Sequence, residues 1–191
     1  PIEYNIWIRL LHRIEKSVLW LSKSNEWSIK NLKKEAQIRG INPSRIIFAE
    51  KVPMEDHLRR HQLADIYLDT FCYNAHTTAS EALWAGLPVV TKIGCSYQSR
   101  VVASLLKAIG LSELILNTEE EYESKILTLA NNPDYLKKIK ILLNKNRSKK
   151  PLFNTQLYTK NIERAFLTAN KIYLKGEKDT SFAVPATHQN K

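Results

Sequence analysis

Two kinds of apolar pattern alternate along this chain, and together they predict an alternation of strands and helices. Short apolar runs predict five strands, at residues 17–22, 45–52, 65–70, 87–93 and 113–116. Apolar positions at helical spacing predict eight helices, at residues 4–15, 31–40, 55–62, 78–85, 96–109, 119–131, 133–147 and 155–174. Strands that alternate with helices are typically parallel and joined by right-handed crossovers.

The strand runs are apolar throughout, which is typical of a sheet that is covered on both faces. We therefore expect an α/β fold, with a Rossmann-like parallel sheet, flanking helices and extra helices after residue 117. Residues 1–174 are predicted to form one domain, in which 155–174 is the terminal helix. Residues 175–191 lack periodicity and are predicted to be a disordered tail.

Composition limits the classes of protein. Hydrophobic residues make up 43% of the 191 residues, which is enough for a core. No window approaches ~18 uninterrupted apolar residues, so we expect no membrane span, and the start of the chain has no signal-peptide pattern. The first residue is not Met, so the chain is expected to be a piece of a longer protein. Cys72 and Cys95 have no metal-ligand spacing and are expected to be packing residues in a reducing compartment.

Excess positive charge attracts anions in general, such as nucleic acids, anionic membranes, acidic partners and nucleotide phosphates. The formal net charge is +10, and residues 137–150 hold seven basic residues and no acidic one. Ile139, Leu142 and Leu143 recur at helical spacing there, which predicts a helix with one core face and one solvated basic face. Nucleic-acid binding would need aromatic platforms or a recognition motif, and neither is found, so it stays a minor alternative.

Candidate chemistry follows the third predicted strand, in the stretch YNAHTTASEALWAG at 73–86. Ligands bind beyond the carboxyl ends of strands in open parallel sheets. The next helix begins at Thr77 and Thr78, and a helix start offers unpaired N–H groups and partial positive charge to an anion. Glu81 lies one turn on, on the same side, where it could accept hydrogen bonds from ribose hydroxyls. These residues predict a nucleotide diphosphate site.

A plainer interpretation of the same residues stays open. Thr78 and Glu81 also match a capping box, T-x-x-E, which would simply satisfy the start of the helix. A histidine such as His76, taken alone, is more often a loop or packing residue than a functional one.

A second element leaves the predicted sheet in the same way. The stretch VPMEDHLRR at 52–60 brings His57 and Arg60 onto one helical face. An imidazole and a guanidinium are suited to stacking on a base or pairing with a phosphate, although an ordinary surface pair is an alternative. Both loops are expected at the carboxyl edge of one sheet, which favours a site. The chain has no GxGxxG motif and no hydrolytic triad or metal-ligand constellation.

Four ordered blocks of the sequence resemble a known family. They are similar to the catalytic C-terminal half of the tetratricopeptide-linked protein O-GlcNAc transferase and SPINDLY family of glycosyltransferases, over about residues 1–175. The blocks are HLRRHQLADIYLDTFCYNAHTTASEALWAGLPVVT, SRVVASLLKAIGLSELI, EYESKILTLANNPDYLKKIK and PLFNTQLYT.

The resemblance implies a GT-B architecture, of which this chain would be the C-terminal, nucleotide-sugar-binding domain. It implies an inverting, metal-independent transfer of a sugar from a UDP-sugar, UDP-GlcNAc by family, to Ser or Thr of a protein. No cofactor is expected. The expected partners are UDP or a UDP-sugar and an acceptor protein bound by N-terminal repeats, in the cytoplasm.

The resemblance also implies a set of nucleotide-sugar-binding residues: Val52, Pro53, Met54, His57, Arg60, Tyr73, His76, Thr77, Thr78 and Glu81. The backbone at Val52 and Pro53 would meet the uracil, and His57 and Arg60 would pack around the base. Thr77 and Thr78 would hold the diphosphate. Glu81 would bind the ribose, and His76 would lie near the sugar.

Three of these positions depart from the family's animal members. Met54 replaces a lysine that contacts the ribose, and Glu81 replaces an aspartate. Tyr73 replaces a small residue that lines the N-acetyl pocket, so we hypothesise a donor without an N-acetyl group, a hexose or deoxyhexose.

The family's catalytic lysine is expected just upstream of Pro1, so this chain alone is predicted to have no transferase activity. Alternatives that stay open are a non-catalytic nucleotide-binding or scaffold relative, and GDP-fucose or a UDP-hexose as donor.

Overall fold

The structure is a computed structural model that describes residues 2–177 and 181–185. Its helices are α1 (Ile2–Arg13), α2 (Glu26–Ile38), α3 (Met54–Arg60), α4 (Thr77–Trp84), α5 (Val101–Ile109), α6 (Glu119–Asn131), α7 (Pro133–Arg147) and α8 (Thr155–Leu174). Its strands are β1 (Leu19–Ser22), β2 (Ile46–Ala49), β3 (Tyr67–Leu68), β4 (Val89–Lys92) and β5 (Ile115–Leu116).

Every predicted strand and helix is present, but two helices begin elsewhere. α2 begins five residues early because the Asn25 side chain accepts a hydrogen bond from the backbone N–H of Ser28 (2.8 Å) and caps it. α5 begins at Val101 and not at 96. Ser96 and Ser99 bond to each other and to nearby backbone instead, which is how short hydroxyl side chains compete with a helix.

The strands are all parallel, as predicted, but they are hydrogen-bonded in two small sheets and not in one. β1 pairs with β2, with Leu19 opposite Ile46. β4 lies between β3 and β5. β3 is only two residues long, and among the described residues it pairs with β4 alone. Packing joins the two halves, because Trp7 and Leu68 contact both apolar clusters.

The larger apolar cluster surrounds the β3–β4–β5 sheet, with β4 at its centre. Its most completely buried side chains include those of Leu83, Val89, Val90, Leu106 and Tyr122. The smaller cluster joins α1, β1, α2 and β2, and includes Tyr4, Ile8, Leu19, Ala36 and Ile46. Loops follow the carboxyl ends of β2 and β3 and lead into α3 and α4.

The basic helix α7 has the two faces that its pattern predicted. Ile139 and Leu143 are buried, while Lys137, Lys138 and Lys145 are exposed. The prediction was wrong for Leu142, which is 36% exposed because it lies at the edge of the buried face. Within residues 2–177 and 181–185, no helix combines the length and hydropathy that a membrane span requires. The predicted tail lies partly outside the described residues, at 178–180 and 186–191, and stays a prediction.

The expectation that both cysteines are packing residues was wrong. Cys72 and Cys95 are free and exposed. Each lies in a loop that follows a strand, where the backbone leaves the apolar cluster, and not in a strand or on a helix face.

Candidate functional site

The loops that follow β2 and β3 converge although their strands belong to different sheets. Nε2 of His57 on α3 lies 3.3 Å from Oε2 of Glu81 on α4. The two side chains are only 23% and 15% exposed. The structure therefore brings the two predicted groups of site residues together by a side-chain contact and not by a shared sheet edge.

Arg60 orients the His57 ring. A guanidinium nitrogen of Arg60 lies 2.7 Å from Nδ1 of His57, and a second donates to the backbone oxygen of Glu50 (2.6 Å). Because a guanidinium can only donate, Nδ1 must accept and the ring proton lies on Nε2, facing Glu81. The guanidinium also lies over the Trp20 ring, 5.9 Å from its centroid. The predicted shared face of His57 and Arg60 is confirmed.

His61 supports the same cluster and was missed in the sequence. Its Nδ1 lies 2.7 Å from the backbone oxygen of His57, and the two rings meet edge to face with centroids 4.5 Å apart. Burial lowers the pKa of His61, so this ring favours its neutral form. The spacing of His61, one helical turn after His57, is the sequence feature that could have indicated this contact.

The capping-box interpretation of Thr78 and Glu81 was wrong. The N-cap residue of α4 is His76, whose side chain makes no capping hydrogen bond. Thr78 lies inside the helix and accepts a hydrogen bond from the Tyr67 hydroxyl (3.3 Å), while Glu81 faces His57. Among the described residues, no side chain therefore caps the start of α4, and Thr77 and Thr78 are exposed there.

A buried carboxyl group fixes the loop that leads into α4. Asp69 is 1% exposed and accepts hydrogen bonds from the Ala75 N–H (2.7 Å) and the Thr91 hydroxyl (2.6 Å). Burial raises the pKa of Asp69 from 3.8 to about 6, even though these two hydrogen bonds lower it. The sequence feature that could have indicated this role is an acidic residue at the end of an apolar strand.

A pocket of about 420 Å³ opens at this edge of the fold. Its lining includes Thr70, Tyr73, Asn74, His76, Thr77 and Thr78. The Tyr73 ring stacks on the His76 ring, with centroids 4.8 Å apart and planes at 18°. The predicted diphosphate and sugar residues therefore surround one pocket.

The remaining predicted residues lie next to this pocket or away from it. His57, Arg60 and Glu81 form the neighbouring cluster, which is linked to the pocket through α4. Val52, Pro53 and Met54 lie where α3 begins; Val52 is 40% exposed and Met54 is 58% exposed. Within residues 2–177 and 181–185, no group of three or more His, Cys, Asp or Glu side chains is placed to hold a metal ion.

Comparison with known proteins identifies the class. Residues 1–162 match the family model "Glycosyl transferase family 41", and the chain belongs to this family. The chain is 30% identical to a solved mutant of the Thermobaculum terrenum O-GlcNAc transferase, with a TM-score of 0.73 over 76% of this chain and 29% of that one. The expected GT-B fold class and the family resemblance are confirmed.

Curated relatives carry a related activity in their names. Over 185 residues the chain is 35% identical to the probable UDP-N-acetylglucosamine–peptide N-acetylglucosaminyltransferase SEC of Arabidopsis thaliana, covering 96% of this chain and 19% of that protein. The chain is 37% identical to the UDP-N-acetylglucosamine–peptide N-acetylglucosaminyltransferase of Caenorhabditis elegans, covering 85% of this chain and 14% of that protein. A probable SPINDLY enzyme of Solanum lycopersicum is 30% identical. The chain spans about a fifth or less of the length of these relatives.

Proposed function

We propose that this chain is the nucleotide-sugar-binding domain of an inverting, metal-independent glycosyltransferase. The reaction would move a sugar from a UDP-sugar to a Ser or Thr hydroxyl of a protein. The observation that supports this most is the start of α4, which faces a pocket and has no side-chain cap within residues 2–177 and 181–185. The Glu81 carboxylate of the same helix lies 3.3 Å from Nε2 of His57.

The start of α4 would hold the diphosphate. Its N–H groups and partial positive charge favour an anion, and the exposed Thr77 and Thr78 hydroxyls add donors. The same groups would stabilise the negative charge that develops on the leaving diphosphate. Because this is an electrostatic task, fixed donors can perform it without a metal ion or cofactor.

The His57, Arg60 and Glu81 cluster would bind the nucleoside. The Glu81 carboxylate can accept hydrogen bonds from ribose hydroxyls while it keeps the Nε2–H of His57 as a second donor. The flat groups of His57 and Arg60 are suited to pack on the base, and the exposed backbone at Val52 and Pro53 could pair with the uracil edge. Met54 cannot supply a charged contact to the ribose.

The donor sugar would lie against His76. Tyr73 is stacked on that ring and occupies space at the pocket, which supports a donor without an N-acetyl group, a UDP-hexose or a deoxyhexose. A competition assay on the intact enzyme, with UDP-glucose and UDP-GlcNAc at equal concentration, tests this. A clear preference for UDP-GlcNAc would contradict it.

We expect this chain by itself to bind nucleotide without transferring sugar. The relatives whose names carry the activity are about five to six times as long as this chain, so the acceptor protein would have to be bound elsewhere. Transfer of a labelled sugar to an acceptor peptide by the isolated chain would refute this expectation.

The decisive experiment is a calorimetric titration of the chain with UDP and with GDP. We expect UDP to bind with a dissociation constant of roughly tens of micromolar to millimolar, because one helix start supplies only ~0.3–2 kcal/mol. Thr77→Ala and Glu81→Ala should each weaken UDP binding. Thr159→Ala and Glu163→Ala, which change exposed residues of α8, are the matched controls.

Each outcome is informative. Loss of UDP affinity in both site variants, with unchanged controls, supports the proposed site. Tighter binding of GDP would replace the UDP-sugar with a GDP-sugar such as GDP-fucose. Wild-type affinity in both site variants would overturn the site.

A further inference from the structure

The loop between β4 and α5 places an exposed aromatic ring beside the pocket. Tyr97 is 78% exposed, and its ring lies perpendicular to the His76 ring, with centroids 6.3 Å apart. The His76 ring therefore has Tyr73 stacked on it and Tyr97 at its edge. Neither the motifs nor the resemblance pointed to Tyr97.

Hydrogen bonds hold this loop in place. The Gly94 N–H donates to the Ser99 backbone oxygen (2.9 Å), and the Arg100 guanidinium donates to the Gly94 oxygen (2.9 Å). A Cβ at Gly94 would lie 2.3 Å from the Ser99 hydroxyl oxygen, so the close approach requires glycine. The loop is also tied to the pocket, because the Asn74 N–H donates to the Gln98 oxygen (3.0 Å). These hydrogen bonds fix the loop, and the loop places Tyr97 beside the pocket.

The pocket lining contains two buried polar atoms without a hydrogen-bond partner among the described residues, Nε2 of His76 and Oδ1 of Asn74. Asn74 is 1% exposed, and its Nδ2 donates to the Thr70 oxygen (2.7 Å). Since that carbonyl only accepts, the free Asn74 atom must be the acceptor oxygen. Burying a polar atom without a hydrogen-bond partner is unfavourable, and a ligand rich in hydroxyl groups would offset that cost.

We propose that Tyr97 contacts the transferred sugar and helps the site to distinguish a nucleotide sugar from the free nucleotide. The Tyr97 ring would pack against the C–H face of the sugar, where apolar ring surface meets apolar ring surface. Asn74 would accept a hydrogen bond from a sugar hydroxyl, and His76 would pair with another. This inference rests on the proposed function, in which His76 lies near the sugar.

The test compares UDP with UDP-glucose as calorimetric ligands of the same chain. Tyr97→Ala should weaken UDP-glucose binding by roughly three- to tenfold and leave UDP within about twofold, because only the sugar meets the ring. Tyr97→Phe keeps the ring and should bind both ligands like the wild type. Tyr158→Ala removes another exposed ring (67% exposed) from α8 and is the control.

The outcomes separate the two proposals. UDP binding by the wild type, with Tyr97→Ala affecting both ligands equally or neither, overturns the role of Tyr97 and leaves the nucleotide site standing. A wild-type chain that binds neither ligand overturns both. Circular dichroism and the Tm of each variant show whether a loss of binding reflects a loss of folding. Tyr97→Gln also removes the ring from this exposed position, and it decides the question if Tyr97→Ala does not fold.

Discussion

At the residue scale, the site depends on side chains whose partners come from other elements. Glu81 was predicted on the side of α4 that carries Thr77 and Thr78, but its partner His57 lies 24 positions earlier in the chain. Asp69 likewise joins a loop atom at Ala75 to Thr91 on the neighbouring strand. A sequence pattern states which face a residue occupies and does not state which distant side chain meets it there.

The buried carboxyl group of Asp69 predicts a pH dependence of stability. Its pKa is about 6 in the folded chain against 3.8 as its ordinary value, so between these pH values the folded state holds more protons than the unfolded state. Stability from this group is therefore full below about pH 4 and is lost as the pH rises through about 6. The difference corresponds to about 3 kcal/mol.

Urea unfolding of Asp69→Asn against the wild type, from about pH 4 to about pH 7, measures this effect. The amide can still accept from Ala75 and can donate to the Thr91 hydroxyl, so we expect similar stability at low pH and a more stable variant at neutral pH. Asp65→Asn changes an exposed carboxylate and serves as the control. Parallel pH profiles for the wild type and Asp69→Asn would contradict the prediction.

At the element scale, helix starts explain where the boundaries fall. The start of α6 has a side-chain cap, which the described residues do not supply to α4. Thr118 caps α6 by accepting from the Glu121 N–H (3.1 Å), and the Glu121 carboxylate accepts from the Asn117 N–H (2.8 Å). The same T-x-x-E pattern therefore caps α6 and, at Thr78, sits inside α4 with its glutamate turned toward another helix.

This contrast predicts different costs for two similar substitutions. Thr118→Ala removes a working cap and should lower the free energy of unfolding by about 1 kcal/mol. Thr78→Ala removes only a long hydrogen bond from Tyr67 and should cost less than about 0.5 kcal/mol. Thermal or urea unfolding of the two variants measures both, and equal losses would show that Thr78 does cap its helix.

At the scale of the whole molecule, two apolar clusters carry a surface with a formal net charge of +10. α7 contributes an exposed basic face, and the pocket lies between the carboxyl end of β3 and the start of α4. A positive molecule attracts an anionic ligand from a distance, and dissolved salt screens that attraction.

We therefore expect UDP binding to weaken as NaCl rises from about 50 to about 500 mM, whereas binding of uridine, which has no phosphate, should change little. Calorimetry at several salt concentrations with both ligands measures the two slopes. A UDP affinity that does not depend on salt would indicate that neither the net charge nor the start of α4 contributes to binding.

Much of the fold could be predicted because short-range patterns specify it. The bounds of α6, α7 and α8 agree with the prediction, since strong apolar periodicity, Asn or Thr caps and a proline mark them locally. The start of α5 could not be predicted from periodicity, because the hydroxyls of Ser96 and Ser99 compete with the helix. The single sheet was also wrong, since β3 hydrogen-bonds to β4 and, among the described residues, not to β2.

The sequence by itself determined the order of parallel strands and helices, the two-faced basic helix and the family to which the chain belongs. These properties depend on periodicity and on blocks of neighbouring residues, which are local. Only the tertiary structure decided that Glu81 pairs with His57 and does not cap α4, that Asp69 is buried beneath the loop, and that Tyr97 lies beside His76. The physical reason is that these contacts join residues far apart in the chain, and their geometry exists only after the two apolar clusters have packed.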